Sequence, residues 1–240
     1  MSSDTRHEAA AKRHCHSENS WLAAHDTSLW VAASENVRVI GNDLYGSPIG
    51  FEISVSNNVY AAHNDVHDNT IGFGLFHPNA AGNAQLPVMA NWVIEHNNIH
   101  DNNLLNPAPP GSFQAGVPPG VGVLLLGVSN NVVAKNDIAN NDFAGVAVLG
   151  WCTAVSLGDP ARNCTNDPPQ ADPSANNNLI SQNKLSGNGG EAPPLPVPPV
   201  DLLYVQLEPA SGNCFEKNKP KNGVTYFSSQ PDGELPTDGC

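Results

Sequence analysis

Two related heptapeptides carry the densest chemistry in this chain: HNDVHDN at residues 63 to 69 and HNNIHDN at residues 96 to 102. Imidazoles beside carboxylates can move protons near neutral pH or help to hold a divalent ion. In each copy polar residues flank a branched aliphatic, Val66 or Ile99. Strand alternation sends that aliphatic one way and its neighbours the other. On adjacent strands in register, His63 would stack on His96, His67 on His100 and Asp68 on Asp101, with Asp65 beside Asn98. His67, Asp68, His100 and Asp101 are therefore the candidate catalytic residues. No residues are assigned as metal ligands, and the cofactor stays open, a divalent cation such as calcium being the type these side chains suit. A repeating polar face also needs no catalytic task, because repetition alone would align the same residues.

The elements that must position these residues follow from a longer repeat of about 22 residues. Residues 50 to 70, GFEISVSNNVYAAHNDVHDNT, and residues 120 to 142, GVGVLLLGVSNNVVAKNDIANND, share one order: Gly, apolar strand, Ser-Asn-Asn, apolar strand, Asn, aliphatic, Asn. A period in the twenties signals a solenoid. Asn42, Asn64, Asn97, Asn136, Asn183 and, weakly, Asn218 mark one corner of each coil, and loops of different length are inserted between them. Asn tolerates the left-handed backbone of a tight corner, and stacked amides can bond along a pile of strands. A leucine-rich repeat is rejected, since the units carry Val, Ile and Asn without its Leu spacing or helical periodicity.

These residues resemble the right-handed parallel β-helix repeats of the pectate-lyase-like superfamily over residues 28 to 220. The resemblance rests on aliphatic-x-x-Asn-x-aliphatic-x-x-Asn followed by a Gly-led strand. It implies an all-β, right-handed, single-stranded parallel β-helix of about six coils. Residues 1 to 27 would form an N-terminal segment able to cap the first coil, and residues 221 to 240 a disulfide-tied tail. In this superfamily the first sheet and its loops commonly form the substrate groove.

The Gly-led strands align Ser28, Gly50, Gly72, Gly122 and Gly145. The insertions then fall at two corners of one strand stack: residues 77 to 91 and 151 to 176 follow it, and residues 103 to 120 and 189 to 200 precede it. Alternation turns Leu29, Phe51, Phe73, Val123, Val146 and Val205 inward, with Val31, Ile53, Leu75, Leu125, Val148 and Leu207. The outward set is Trp30, Glu52, Gly74, Leu124, Ala147 and Gln206, with Ala32, Ser54, Phe76, Leu126, Leu149 and Glu208. Its apolar middle reads either as a satellite core under Pro-rich loops or as an open, sugar-stacking floor. On the second reading Trp30, Glu52, Phe76, His77, Leu124 and Arg162 contact substrate. Glu52 and Glu208 cannot form one acid-base pair, because four coils at roughly 4.8 Å each separate them far beyond glycosidase spacing.

The catalytic signatures of the resembled superfamily are missing. The Asn-Thr-Asp, paired Asp, Gly-His-Gly and Arg-Ile-Lys of polygalacturonases do not occur, nor does the Asp-Pro-His-Asp of mannuronan epimerases, where only His77-Pro78 is near. Pectate lyases neutralise uronate with a basic residue, but the only Arg residues here are Arg6, Arg13, Arg38 and Arg162. No nucleotide-binding loop or Gly-x-Ser-x-Gly elbow is present.

Ten Lys and Arg against 23 Asp and Glu give a net charge of -13, which repels nucleic acid and other polyanions. No run of 18 apolar residues could span a membrane. The five Cys fit an oxidising compartment, with Cys152 paired to Cys164, Cys214 to Cys240, and Cys15 left over. Such a chain would have lost a secretory leader from this numbering. The expectation is a secreted or extracytoplasmic monomer that acts on a polysaccharide or other extended ligand as a lyase, hydrolase or epimerase. The alternative is a non-catalytic β-helix, as a binding module or surface protein.

Overall fold

The computed structural model describes residues 26 to 76, 90 to 112, 114 to 158, 164 to 165, 172 to 193, 195 to 220 and 223 to 240, with the backbone of residues 20 to 22. Cys15, His77 and Arg162 lie outside the described residues. The chain winds into a parallel β-helix whose coils contribute in turn to three sheets. Sheet 1 contains β2 (Thr27–Val31), β5 (Ile49–Ile53), β8 (Ile71–Phe76), β11 (Val121–Leu126), β14 (Ala144–Leu149), β17 (Val200–Val205) and β20 (Tyr226–Ser228). Sheet 2 contains β3 (Glu35–Ile40), β6 (Asn57–Ala62), β9 (Trp92–Glu95), β12 (Val132–Ala134), β15 (Leu179–Ser181) and β18 (Cys214–Glu216). Sheet 3 contains β1 (Ser20–Leu22), β4 (Asp43–Tyr45), β7 (Asp65–His67), β10 (Asn98–His100), β13 (Asp137–Ala139), β16 (Lys184–Ser186) and β19 (Lys219–Pro220). Among the described residues, sheets 1 and 3 thus have seven strands and sheet 2 has six.

The inner core is a column of apolar side chains along the coil axis. Leu44, Val66, Ile99, Ile138 and Leu185 fill it from sheet 3, and Phe51, Phe73, Val123, Val146 and Leu202 from sheet 1. Close packing of such layers is the principal stabilising term. The buried corner amides close the polar account: Asn42 donates to Asn64 at 2.9 Å, Asn64 to Asn97 at 2.9 Å and Asn97 to Asn136 at 3.0 Å. The stack continues through Asn183 to Asn218, and a second runs through Asn69, Asn102, Asn141 and Asn188. A third, unexpected from the sequence, joins Asn131, Asn178 and Asn213 where sheet 1 turns into sheet 2.

The left-handed backbone does not fall on the stacked Asn, as the sequence suggested, but on the residue before each one. Gly41, His63, His96, Lys135, Gln182 and Lys217 form one positive-φ column, and Gly46, Asp68, Asp101, Asn140 and Gly187 form another. The stacked Asn turns inward, where its amide also binds main-chain carbonyls, as Asn64 Nδ2 does with Val39 O at 3.1 Å.

Sheet 1 bends at its Gly column. A Cβ on Gly50 would stand 2.6 Å from both Asn69 Nδ2 and Val66 Cγ1, and one on Gly72 would stand 2.8 Å from Ile99 Cγ2. The bend turns Ile49, Ile71, Val121, Ala144 and Val200 toward a second, outer core. Leu124, Ala147 and Leu203 from the middle of sheet 1 join it, together with Phe76 and Leu149. Val117 of the loop before β11 and Val197 before β17 cover them, with Leu195, Ala154 and Leu157 packed alongside. Phe76 is 2% and Leu124 8% exposed, so the central coils offer a filled satellite core and not an open floor.

The last coils depart from the expected register. Leu202 pairs with Val146 and Tyr204 with Val148, so these two residues point inward, where Val205 and Leu207 were expected. Leu207 is exposed, and Gln206 and Glu208 lie beyond the strand. Glu208 instead caps helix α1 (Trp151–Gly158), accepting from Thr153 N at 2.9 Å and from the Thr153 hydroxyl. A carboxylate there compensates the unpaired amides of a helix N-terminus. Cys152 is joined to Cys164 and Cys214 to Cys240, the two expected pairs. The segment after residue 220 supplies β20 to sheet 1 before its end closes on the last coil, where Phe215 N donates to Pro236 O at 3.0 Å.

Candidate functional site

The heptapeptides meet as their spacing predicts. Asp65 pairs with Asn98, Val66 with Ile99 and His67 with His100 in parallel register on sheet 3. With Val66 and Ile99 buried, the flanking side chains must face outward. The rings of His67 and His100 stack at 5.1 Å between centroids, and Tyr45 extends the stack from the preceding coil at 5.3 Å. His63 and His96 stack separately at 5.6 Å on the corner between sheets 2 and 3. The long column of rings ends at Ala139, the partner of His100 in the next coil.

Each imidazole of this column is held between two carboxylates. His67 Nδ1 lies 2.8 Å from Asp68 Oδ2, and its Nε2 lies 3.0 Å from Asp43 Oδ1. His100 repeats the arrangement one coil on, with Nδ1 2.7 Å from Asp101 Oδ2 and Nε2 3.1 Å from Asp65 Oδ1. Asp68 and Asp101 reach back because their left-handed backbone turns the corner immediately after the histidine. Burial alone would lower the His67 pKa, but its hydrogen bonds to Asp68 and Asp43 and the charges of Asp65 and Asp43 hold it above the ordinary histidine value. With both nitrogens facing carboxylates, the imidazolium satisfies the site fully and donates twice. The ring becomes a base only by releasing one of these partners. Asp43 and Tyr45 were not picked out from sequence, although the Asn42 corner already puts Asp43 one coil below Asp65.

Trp30 and Glu52 are neighbours on the outward face of sheet 1, as expected. Trp30 Nε1 donates to Ser54 Oγ at 2.8 Å, and Thr27 Oγ1 lies 2.9 Å from Glu52 Oε2. Burial raises the Glu52 pKa to about 7; the Thr27 hydrogen bond opposes the shift and the Asp26 charge adds to it. These residues lie on sheet 1, away from the sheet 3 histidines, so the candidates divide between two faces. Phe76 and Leu124 sit in the outer core and are closed to a ligand. Among the described residues, the His, Cys, Asp and Glu atoms close enough to share an ion are those of Cys214, Glu216 and Cys240, and both sulfurs are already in a disulfide.

Three parallel sheets around a stacked polar and apolar interior define a parallel β-helix. The model of the right-handed β-helix region matches residues 76 to 234, and the chain belongs to that family. Among solved structures it is similar to the periplasmic alginate epimerase AlgG, with a TM-score of 0.50 and 16% identity over 83% of this chain and 43% of that one. It is also similar to DFA-IIIase from Arthrobacter chlorophenolicus A6, with a TM-score of 0.43 and 15% identity over 86% and 46% of the two chains. An alginate lyase from Paenibacillus sp. str. FPU-7 gives 0.36 and 12% over 85% and 75%. At these identities the likeness is one of fold, and the chain spans less than half the length of the first two. No curated protein sequence matches it.

Proposed function

We propose that this chain is an extracytoplasmic, carbohydrate-active β-helix protein that engages an extended polysaccharide along its flank, with His67, Asp68, His100 and Asp101 touching the sugar. The observation that carries the reading is the ring column of Tyr45, His67 and His100, bordered by carboxylates repeated at the coil spacing. Carboxylates accept from hydroxyls, and ring edges in a row suit a repeating polymer. The fold shared with a periplasmic alginate epimerase agrees with a polysaccharide ligand, and the two disulfides agree with an oxidising compartment.

Charge narrows the ligand. Asp43, Asp65, Asp68 and Asp101 crowd this face, and the nearest cation along sheet 3, Lys184, is tied to Asp137 at 2.5 Å. A neutral glycan is favoured over a polyuronate, which would need bridging cations such as calcium. In its protonated form His67 would donate a proton in lyase, hydrolase or epimerase chemistry. The same double engagement of both ring nitrogens favours a second reading, a binding module without turnover.

Incubation with neutral and acidic polysaccharides, with and without calcium, separates the two. New reducing ends or ultraviolet-absorbing unsaturated ends support the enzyme. Retarded migration of the protein in a polysaccharide gel without new ends supports the binding module. The absence of both contradicts the carbohydrate reading.

A further inference from the structure

The loop between β10 and β11 leaves the coil of His100 and leans back over the coil of His67. Asn103 N donates to Asp101 O at 2.9 Å, and Leu104 N donates to Asn69 O at 3.0 Å. Asp101 holds His100 Nδ1, and Asp68, the residue before Asn69, holds His67 Nδ1. Leu104 therefore crosses the corner beside the acidic edge of the ring column, on the face already given to the polysaccharide. At the far end of the loop Gly120 N donates to Thr70 O at 3.0 Å, so both ends root on adjacent residues of one coil.

This loop carries two consecutive leucines in water. Leu104 is 38% and Leu105 82% exposed, and among the described residues the other exposed large apolar side chains, Leu207 and Tyr226, belong to the last coils of sheet 1. Burial would stabilise each leucine, so something must hold them out. The asparagines that bracket them do so. Asn103 Oδ1 accepts from Asp142 N at 2.8 Å, and its Nδ2 donates to Asn140 O at 2.8 Å. Asn106 Nδ2 donates to Gln114 O at 2.7 Å and Val117 O at 2.9 Å, while its Oδ1 accepts from Ala108 N at 2.9 Å. Val117 is itself anchored in the outer core. The leucines are thus presented from a pinned backbone, which spares a ligand the cost of ordering the loop.

We infer that Leu104 and Leu105 form a specificity wall beside the sheet 3 histidines and receive a methyl-bearing neutral substituent of the glycan, an O-acetyl ester or a methyl ether. This assignment rests on the carbohydrate reading above and deepens it. Asp68 and Asp101 at the foot of the wall repel a carboxylate or sulfate substituent. The sugar rings themselves have the column of Tyr45, His67 and His100. A branched aliphatic side chain offers no hydrogen bond, so a sugar hydroxyl set against it loses its partner, whereas a methyl group leaves water at a gain.

The test compares affinity gels of partly acetylated glucomannan with gels of the same polymer after alkaline deacetylation, and methylcellulose with hydroxyethylcellulose. The full chain should bind the methyl-bearing member of at least one pair about fourfold more tightly than its counterpart, the factor for one buried methyl group. Preference for acetylated glucomannan assigns the ester, and preference for methylcellulose the ether. In Leu104→Ser, Leu105→Ser the ratio should fall to about one with circular dichroism unchanged. Leu105→Gln alone, at the more exposed position, should lower it at least about twofold. Equal binding within both pairs, or a preference that survives in the double variant, would overturn the wall and leave the carbohydrate reading standing. A wild-type dimer that the double variant dissociates in sedimentation would give the leucines to a second copy and overturn the wall as well. No retardation in any gel would overturn both.

Discussion

His67 Nε2 lies 3.0 Å from Asp43 Oδ1, a bond that crosses from one coil to the next while the same ring holds Asp68 within its own coil. The histidine is thus a tie along the coil axis as well as a candidate ligand contact. Its raised pKa makes the tie depend on pH. A group whose folded pKa exceeds its unfolded value stabilises fully below the unfolded value, near 6.5, and loses that contribution as pH rises through the folded one. An NMR titration should give a His67 midpoint above 6.5, lowered in Asp43→Asn, with the wild-type melting temperature declining more from pH 6 to 8 than that of the variant. A midpoint at or below 6.5 would contradict the geometry.

The Gly column of sheet 1 should tolerate no side chain. A Cβ on Gly122 would lie 2.6 Å from Gly145 O and 2.9 Å from both Asn141 Nδ2 and Ile138 Cγ2, so backbone or a buried amide must move. Gly122→Ala should cost about 3 kcal/mol in urea unfolding, the upper range for overpacking. Gly116→Ala, with nothing within 4 Å of its Cβ, should change stability by less than about 0.5 kcal/mol.

The buried and exposed Asn stacks should differ as sharply. Asn97 accepts from the backbone and side chain of Asn64, and donates to Ala61 O, Glu95 O and Asn136 Oδ1. Asn97→Ala strands several buried groups at once and should cost about 3 kcal/mol or more. The exposed Asn58 side chain donates to Asn36 Oδ1 at 3.1 Å, and its φ of 53° favours Asn over Ala, so Asn58→Ala should cost about 1 kcal/mol. Chemical denaturation of the two variants side by side measures the difference.

Where a coil carried both Asn64-type and Gly50-type marks, its register was legible in the sequence, since a corner amide and a crowded glycine are demands of the backbone itself. The coil of β17 lacks the second mark. Asp201 stands opposite Gly145, and without a glycine the inward set was displaced from Leu202 and Tyr204 to Val205 and Leu207. The outer core was half legible: alternation put Phe76, Leu124 and Leu149 outward, but the closure by Val117 and Val197 depends on how Pro-rich loops fold back, which has no periodicity to read. The His67 and His100 stack was legible because it repeats. The Asp26, Thr27 and Glu52 contact was not, because it depends on a side-chain rotamer in one coil.

The central claim is that the His67 and His100 face of sheet 3 meets the polysaccharide, and affinity electrophoresis of wild type against a His67→Ala, His100→Ala variant tests it most directly. In gels containing the polymer that retards wild type most, the account predicts at least about tenfold weaker binding by the variant, a loss of roughly 1.4 kcal/mol, with its circular dichroism unchanged. Equal retardation of the two proteins in every polymer would contradict it.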